Sequence, residues 1–298
     1  MNVRAALLSS LLLVAATACR NDFKPRSVLA DLRVLAIEAT PLEVGPGEAV
    51  TLVPRRLAPP GAGATITQER WFFCPFSVGA SVGYACAVPE CEVELTDPAG
   101  TPSGDRDVGV AVTADPGARA QECLALLTAG GESLPAGVPS SLPQKIELVF
   151  RYAARASDGE SREAVQLVPF YPGGAPSPRN RPPAIELVDI GGRRVADGDT
   201  GPALAPGAQL EVRVQLDPES ADTYVDDAGR TLEESLVVSF FTTAGRFDFD
   251  RANGPDARVA LKYEGIAPAD VEAEIWAVAT DLRGGQTVAG PFRVPIGR

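Results

Sequence analysis

Residues 209–216 read QLEVRVQL, and their pattern is the clearest indication of the fold. Positions 210, 212, 214 and 216 are apolar, and the residues between them are polar. Such alternation is typical of a β-strand that packs one face on a core and turns the other to water. Similar short strands, separated by turn signals, recur along the chain. The pattern therefore predicts an all-β protein built from immunoglobulin-like β-sandwiches.

The same order of predicted strands occurs twice. The first half has strands at 33–40, 48–53, 69–74, 146–154 and 164–169, and the second half has them at 185–190, 209–216, 235–242, 273–280 and 286–294. A Pro-Gly turn precedes the second strand of each set, at residues 46–47 and 206–207. We therefore predict two sandwich domains, at 31–170 and 184–298. Residues 171–183 contain five prolines and no hydrophobic period, which predicts a stiff linker between them.

The first half is longer because of an insertion, residues 75–143. Within it, residues 116–129 predict a helix, with Asp115 as its N-cap and Pro116 in its first turn. The apolar residues at 120, 123, 124 and 127 share one face, which should lie against the sandwich. The insertion also contains the pattern G-x-S-x-G at 79–83. A hydrolase nucleophile elbow needs a strand before this pattern, a helix after it and a histidine base, so we interpret it as a chance match.

Four of the five cysteines lie in or beside the insertion, at 74, 86, 91 and 123. An even number in an exported chain predicts two disulfides, and three pairings are possible. We favour Cys74–Cys86 with Cys91–Cys123, because the first closes a short loop and the second ties down the helix. A zinc site of four thiolates is disfavoured, because no CxxC spacing is present.

The N-terminus has the composition of an export signal. Arg4 is followed by the apolar run AALLSSLLLVA at 5–15, which is too short to span a bilayer. Residues 16–19 then read ATAC, which resembles the lipobox of bacterial lipoproteins. That resemblance implies removal of residues 1–18, a lipid on Cys19 and a tether over 19–30. Arg20, in place of the family's inner-membrane retention Asp, favours the outer membrane. An ordinary secretory signal cut after Ala18 is the alternative.

Longer segments resemble a set of uncharacterised myxobacterial-type lipoproteins. They are LRVLAI at 32–37, EVGPGEAVT at 43–51, WFFCP at 71–75 and FFTTAGRF at 240–247. The resemblance implies a cell-envelope location and an immunoglobulin-like fold. It implies no catalytic residue.

Composition excludes several functions. The chain has no histidine, which rules out a Ser-His-Asp triad, a Cys-His dyad and a histidine-bearing zinc site. Its formal charge of −12 argues against nucleic acid as a partner. We predict no cofactor. One acidic loop is a candidate for Ca²⁺, which binds six to eight oxygen atoms. Its candidate ligands are Asp217, Glu219, Asp222, Asp226 and Asp227.

These observations favour a non-enzymatic, lipid-anchored envelope protein that binds a protein or a surface polysaccharide through its sandwich domains. The insertion is the candidate contact surface, because one repeat has it and the other lacks it. A passive structural spacer is the first alternative. A carboxylate-dependent hydrolase is the second, and it is disfavoured because aromatic residues make up only 6% of the chain.

Overall fold

Two sets of alternating strands each close over an apolar core. The computed structural model describes residues 25–58, 63–96, 100–129, 143–225, 228–264 and 271–297. Cys19 and the signal segment 1–18 lie outside these residues, so the predicted lipidation stays a prediction.

The first sandwich is formed by a pair of antiparallel sheets. In chain order its elements are β1 (Arg33–Thr40), β2 (Val50–Leu57), β3 (Ile66–Cys74), β4 (Val93–Glu94), β5 (Val112–Ala114), α1 (Pro116–Ala129), β6 (Ile146–Ala156) and β7 (Ser161–Phe170). The strands pair in the orders β1-β2-β5 and β4-β3-β6-β7. Alternate side chains of both sheets meet in one core, which includes Trp71, Phe150 and Phe170.

The second sandwich repeats this pairing. Its strands are β8 (Ile185–Ile190), β9 (Arg193–Val195), β10 (Gln209–Leu216), β11 (Thr223–Val225), β12 (Thr231–Glu233), β13 (Val237–Thr242), β14 (Arg246–Phe247), β15 (Arg251–Asn253), β16 (Asp256–Lys262), β17 (Glu272–Thr280) and β18 (Gln286–Pro295). The two sheets run β14-β16-β10-β8-β9 and β15-β13-β17-β18, and β11 with β12 forms a separate hairpin. The orders β8-β10-β16 and β15-β13-β17-β18 correspond to β1-β2-β5 and β4-β3-β6-β7. The predicted immunoglobulin-like class is confirmed.

The predicted insertion is partly integral to the first sandwich. It supplies β4 and β5, each of which pairs with a strand that the sequence did predict. Helix α1 has the predicted bounds, and the Asp115 carboxylate accepts a hydrogen bond from the Ala118 N–H at 3.0 Å. Ala120 and Cys123 are buried in the first core. A Cβ added to Gly117 would lie 2.5 Å from the Phe170 ring, so the helix packs directly on that core.

The two sandwiches share a buried apolar junction. Leu29, Leu57 and Trp276 form a cluster of their own, separate from either core. Trp276 is 1% exposed although its neighbours on β17, Ile275 and Ala277, face the second core. Since successive strand residues point to opposite faces, Trp276 lies on the outer face of its sheet, where the first domain covers it. Trp276 therefore packs between the domains and not in the second core.

Polar contacts extend the junction on both sides of this cluster. The N–H of Ile37 on β1 donates to Gln286 Oε1 at 3.2 Å, and the N–H of Val288 on β18 donates to Glu38 Oε1 at 3.1 Å. Arg106, in the loop before β5, forms an ion pair with Glu274 on β17. The segment predicted as a linker also packs here, because Asn180 is 8% exposed and bonds to both domains.

Candidate functional site

A groove with a volume of 710 Å³ opens where the two domains meet. Clefts at domain junctions are common ligand sites. Both domains and the segment between them line it. The lining residues are Glu43, Tyr84, Gln144, Lys145, Glu147, Val165, Gln166, Leu167, Pro169, Tyr171, Tyr224, Val225, Leu282, Arg283, Gly284 and Gln286. Three of the five tyrosines in the chain are in this set.

The first domain contributes the outer face of β7. Val165, Leu167 and Pro169 are partly exposed along the groove, while the alternate residues Val168 and Phe170 are in the core. This division follows from the period of two along a strand. Edge strand β7 therefore offers a row of apolar side chains to whatever occupies the groove.

Tyr84 reaches the groove from the loop that the Cys74–Cys86 disulfide closes. The loop is also held by backbone hydrogen bonds, from the Tyr84 N–H to Gly79 O at 3.0 Å and from the Val78 N–H to Ala85 O at 3.0 Å. Tyr84 has φ of +58°, a backbone conformation that few side chains adopt. A constrained loop thus fixes the position of one aromatic side chain of the groove.

Arg283 connects the groove to both domains. Its guanidinium lies 4.3 Å from the ring centroid of Tyr224, donates to Glu234 of the second domain and lies 3.5 Å from Glu43 of the first. Glu43 also accepts hydrogen bonds from the Tyr171 hydroxyl at 3.2 Å and from the Asn180 N–H at 2.9 Å. One cation therefore orients Tyr224 and ties together carboxylates from two domains.

Asp281 shapes the turn that carries Arg283. Its carboxylate accepts hydrogen bonds from the N–H groups of Arg283 at 2.7 Å and Gly285 at 2.9 Å, and from the Asn180 amide at 3.0 Å. A Cβ on Gly285 would lie 2.2 Å from the Asp281 Oδ2, so this position needs glycine. The turn leaves Leu282 65% exposed at the groove.

Burial shifts two carboxylates of this cluster toward the neutral form. Burial raises the pKa of Glu234, against the opposing effect of its hydrogen bond from Arg283. Burial likewise raises the pKa of Asp281, against the hydrogen bonds from the Arg283 N–H and Asn180. Desolvation disfavours the charged form of a carboxyl group, and one guanidinium does not fully offset it.

The cysteines pair as favoured from the sequence, Cys74 with Cys86 and Cys91 with Cys123. The second bond joins α1 to a turn of 3-10 helix at Pro89–Cys91. In the G-x-S-x-G stretch, Ala80–Val82 form a 3-10 turn and Ser81 is exposed. That geometry lacks the strand and the α-helix that flank a nucleophile elbow.

The structure describes part of the calcium candidate loop. Asp217 accepts from the Glu219 N–H at 2.9 Å, and Asp222 pairs with Arg181 at 3.2 Å. Asp226 and Asp227 lie outside the described residues. Among the residues that are described, no three acidic, cysteine or histidine side chains come together as metal ligands. Calcium binding stays a prediction.

The groove is largely separate from the insertion that the sequence pointed to as the contact surface. Of the 16 lining residues, Tyr84 belongs to residues 75–143, Gln144 and Lys145 directly follow that segment, and the others lie elsewhere in the chain. A signal was present in β17, where Ile275, Trp276, Ala277 and Val278 are consecutive apolar residues. A strand that is apolar on both faces is buried on both faces, which indicates an interface.

The comparisons with known proteins name no family. No family model matches the chain, and no curated protein matches it. Among solved structures, the fibronectin(III)-like modules of Clostridium thermocellum CbhA are 8% identical, cover 89% of this chain and 93% of theirs, and have a TM-score of 0.24. The D00-D0 domain of Intimin is 12% identical, with coverages of 90% and 99% and a TM-score of 0.22. The FN1-FN3 domains of chicken CNTN1 are 14% identical, with coverages of 89% and 65% and a TM-score of 0.21. Because these TM-scores are low, the description of the fold rests on the strand pairing of this chain. None of the helices in the described part of the chain has the length and hydropathy of a membrane-spanning segment.

Proposed function

We propose that this is a non-enzymatic, lipid-anchored protein of the cell envelope that binds a protein or a surface polymer in the interdomain groove. The observation that carries the binding proposal is the set of three tyrosines brought to one groove from three separate segments. Tyrosine combines a large apolar ring with a hydroxyl, and it is enriched at recognition surfaces for that reason. The lipid anchor at Cys19, and with it the outer-membrane location, rests on the resemblance to a lipobox.

The carboxylates of the groove favour binding over hydrolysis. Glu43 is 3% exposed and is held by Tyr171, Asn180 and Arg283, so its oxygens are occupied by structural donors. Glu147 is exposed and lies near Lys145, at 3.5 Å. Glycoside hydrolysis needs two carboxyl groups that face one bond from opposite sides. The groove places its carboxylates in supporting positions instead.

Binding can be tested with purified full-length protein immobilised on beads. Envelope extract, separated into a protein fraction and a polysaccharide fraction, is passed over wild type and over the double variant Tyr84→Ala/Tyr224→Ala. Truncation of an aromatic anchor costs about 2 kcal/mol or more, so we expect retention by the double variant to fall at least about tenfold.

The matched control is Val82→Ala, which changes an exposed side chain, 56% accessible, in the same disulfide-closed loop but outside the groove lining. It should retain the partner as wild type does. Equal retention by wild type and the double variant would reject the groove. No specific retention by wild type from either fraction would favour the passive spacer.

The anchor has its own test. Mass spectrometry of the N-terminal peptide should show an acylated Cys19, and Cys19→Ser should move the protein from the membrane fraction to the soluble fraction. An unmodified N-terminus at Cys19 would contradict the anchoring.

A further inference from the structure

The chain enters the described structure beside a second surface, which shares no lining residue with the groove. Residues 25–27 lie against the β14–β15 turn, and together they line a depression of 520 Å³ with Lys262. The Thr242 N–H donates to Ser27 O at 2.8 Å, and the Leu29 N–H donates to Thr242 O at 2.8 Å. The first described residues are therefore fixed to the end of β13.

This surface carries an exposed aromatic side chain. Phe249 is 67% exposed and is the one aromatic residue among the large apolar side chains that are exposed in the described part of the chain. The turn that presents it is ordered, because the Asp248 carboxylate accepts from the Phe249 N–H at 2.9 Å and the Ala260 N–H at 2.8 Å. A partner that covers this ring would remove its apolar surface from water.

The charge balance here differs from that of the whole protein. The chain has 39 acidic and 27 basic residues, whereas here Arg26, Arg246 and Lys262 are matched by Asp248, Asp250 and Glu264, the last in an ion pair with Arg246. A surface without the excess negative charge of the rest of the chain is not repelled by the phosphates of a bilayer, and its exposed aromatic ring can enter the interface.

We propose that this face, residues 25–27 with 246–250, rests on the phospholipid surface that holds the Cys19 lipid. The inference rests on the proposed anchor. Six residue steps join Cys19 to Pro25, so the two are separated by at most about 21 Å even in a fully extended chain. A tether of that length keeps the face within reach of the headgroups, where aromatic side chains are favoured.

The contact would also orient the groove. Thr242 pairs with Ile275 near one end of β17, whereas Leu282 follows its other end. Five residue steps of strand, from Ile275 to Thr280, separate the two ends, which is about 17 Å. With residues 246–250 on the bilayer, the groove opens on the side of the protein that faces away from it.

The experiment uses the full lipidated protein, reconstituted in vesicles of phosphatidylethanolamine and phosphatidylglycerol that contain brominated phosphatidylcholine. Phe249→Trp places a reporter on the proposed face, and Val225→Trp places one at the groove, on a residue that is 66% exposed. The native Trp71 and Trp276 are 0% and 1% exposed and give a constant background. On brominated vesicles we expect the emission of the Phe249→Trp variant to shift to the blue and lose intensity. We expect neither change for the Val225→Trp variant.

Each outcome decides the proposal. Quenching of the reporter in Phe249→Trp alone supports it. Quenching of both reporters, of neither, or of the Val225→Trp reporter alone, with Cys19 shown by mass spectrometry to be acylated, overturns the orientation and leaves the anchor intact. Absence of the lipid overturns both the anchor and the membrane contact.

Discussion

Glu69 is a fully buried carboxylate that organises the loop before β5. It is 0% exposed and pairs with Arg56, itself 1% exposed, at 3.2 Å. It also accepts hydrogen bonds from the Tyr152 hydroxyl, the Ser103 N–H at 2.8 Å and the Val110 N–H at 3.1 Å. Burial opposes its charge, but the hydrogen bonds from Arg56 and Tyr152 hold the pKa of Glu69 below its usual value.

We expect Glu69→Gln to lower the free energy of unfolding by about 3–5 kcal/mol, because it leaves the Arg56 charge buried without a counter-charge. Tyr152→Phe removes one hydrogen bond to the same carboxylate and should cost about 2 kcal/mol. Urea unfolding at pH 7 measures both. A loss for Glu69→Gln no larger than that for Tyr152→Phe would contradict the electrostatic account.

Asp281 gives the junction a dependence on pH. Because its pKa is raised in the folded state, its contribution to stability is fully present below the unfolded pKa, near 4, and is lost as pH rises through the folded value. The Asp281→Asn variant keeps an oxygen for the two turn N–H groups and removes this loss. The thermal midpoint of the variant minus that of wild type should therefore be larger at pH 7 than at pH 4.

Glu234→Gln should change in the same direction, since the pKa of Glu234 is raised for the same reason. Thermal scans at four pH values between about 4 and 7 cover the range that begins near the unfolded pKa of these groups and extends upward, the direction of both shifts. A difference from wild type that is the same at every pH would show that neither carboxyl group titrates there.

At the scale of elements, the alternation of apolar residues was informative where strands are long. β1, β8 and β10 have the bounds predicted from the sequence, and so does α1. Strands of two or three residues, such as β4 and β5, contain too few positions to show a period, and the sequence alone therefore places them in the insertion. The groove was harder to predict, because Tyr84, Tyr171 and Tyr224 approach one another only through the packing of two domains.

Removal of each disulfide in turn should rank the two variants in one order for stability and in the opposite order for partner binding. Their sequence separations are 12 and 32 residues, so loop entropy predicts losses of about 3 kcal/mol for Cys74→Ser/Cys86→Ser and about 4 kcal/mol for Cys91→Ser/Cys123→Ser. The first pair closes the loop of Tyr84, whereas the second ties α1 to Pro89–Cys91, outside the groove lining. We therefore expect the less destabilised variant to lose more partner binding.

Urea unfolding ranks the two variants by stability. The bead assay, done on the same preparations under conditions in which both are folded, ranks them by partner binding. If the more destabilised variant also loses more partner binding, the first disulfide does not act by holding Tyr84 in the groove.

At the scale of the whole molecule, the junction decides whether the groove has a fixed shape. Domains within a chain move relative to one another unless their interface is well packed. Here apolar burial at Leu29, Leu57 and Trp276 is combined with the ion pair from Arg106 to Glu274 and the Arg283 cluster. The loop that Glu69 orders carries Arg106, so a buried charge in one core supports the contact with the other domain.

Leu57→Ala tests this arrangement, with Leu52→Ala as its match. Both leucines are on β2 and 0% exposed, but Leu52 packs in the first core and Leu57 packs on Trp276 at the junction. Each substitution should cost about 2–5 kcal/mol through the cavity it leaves. In a Trp71→Phe background, which isolates Trp276 emission, Leu57→Ala should shift the emission to longer wavelength and increase its quenching by acrylamide. Leu52→Ala should leave both unchanged in the folded protein, because its cavity lies away from the junction. Equal quenching in the two variants would mean that Trp276 is shielded by its own domain, and the groove would then lack the fixed wall that its proposed function requires.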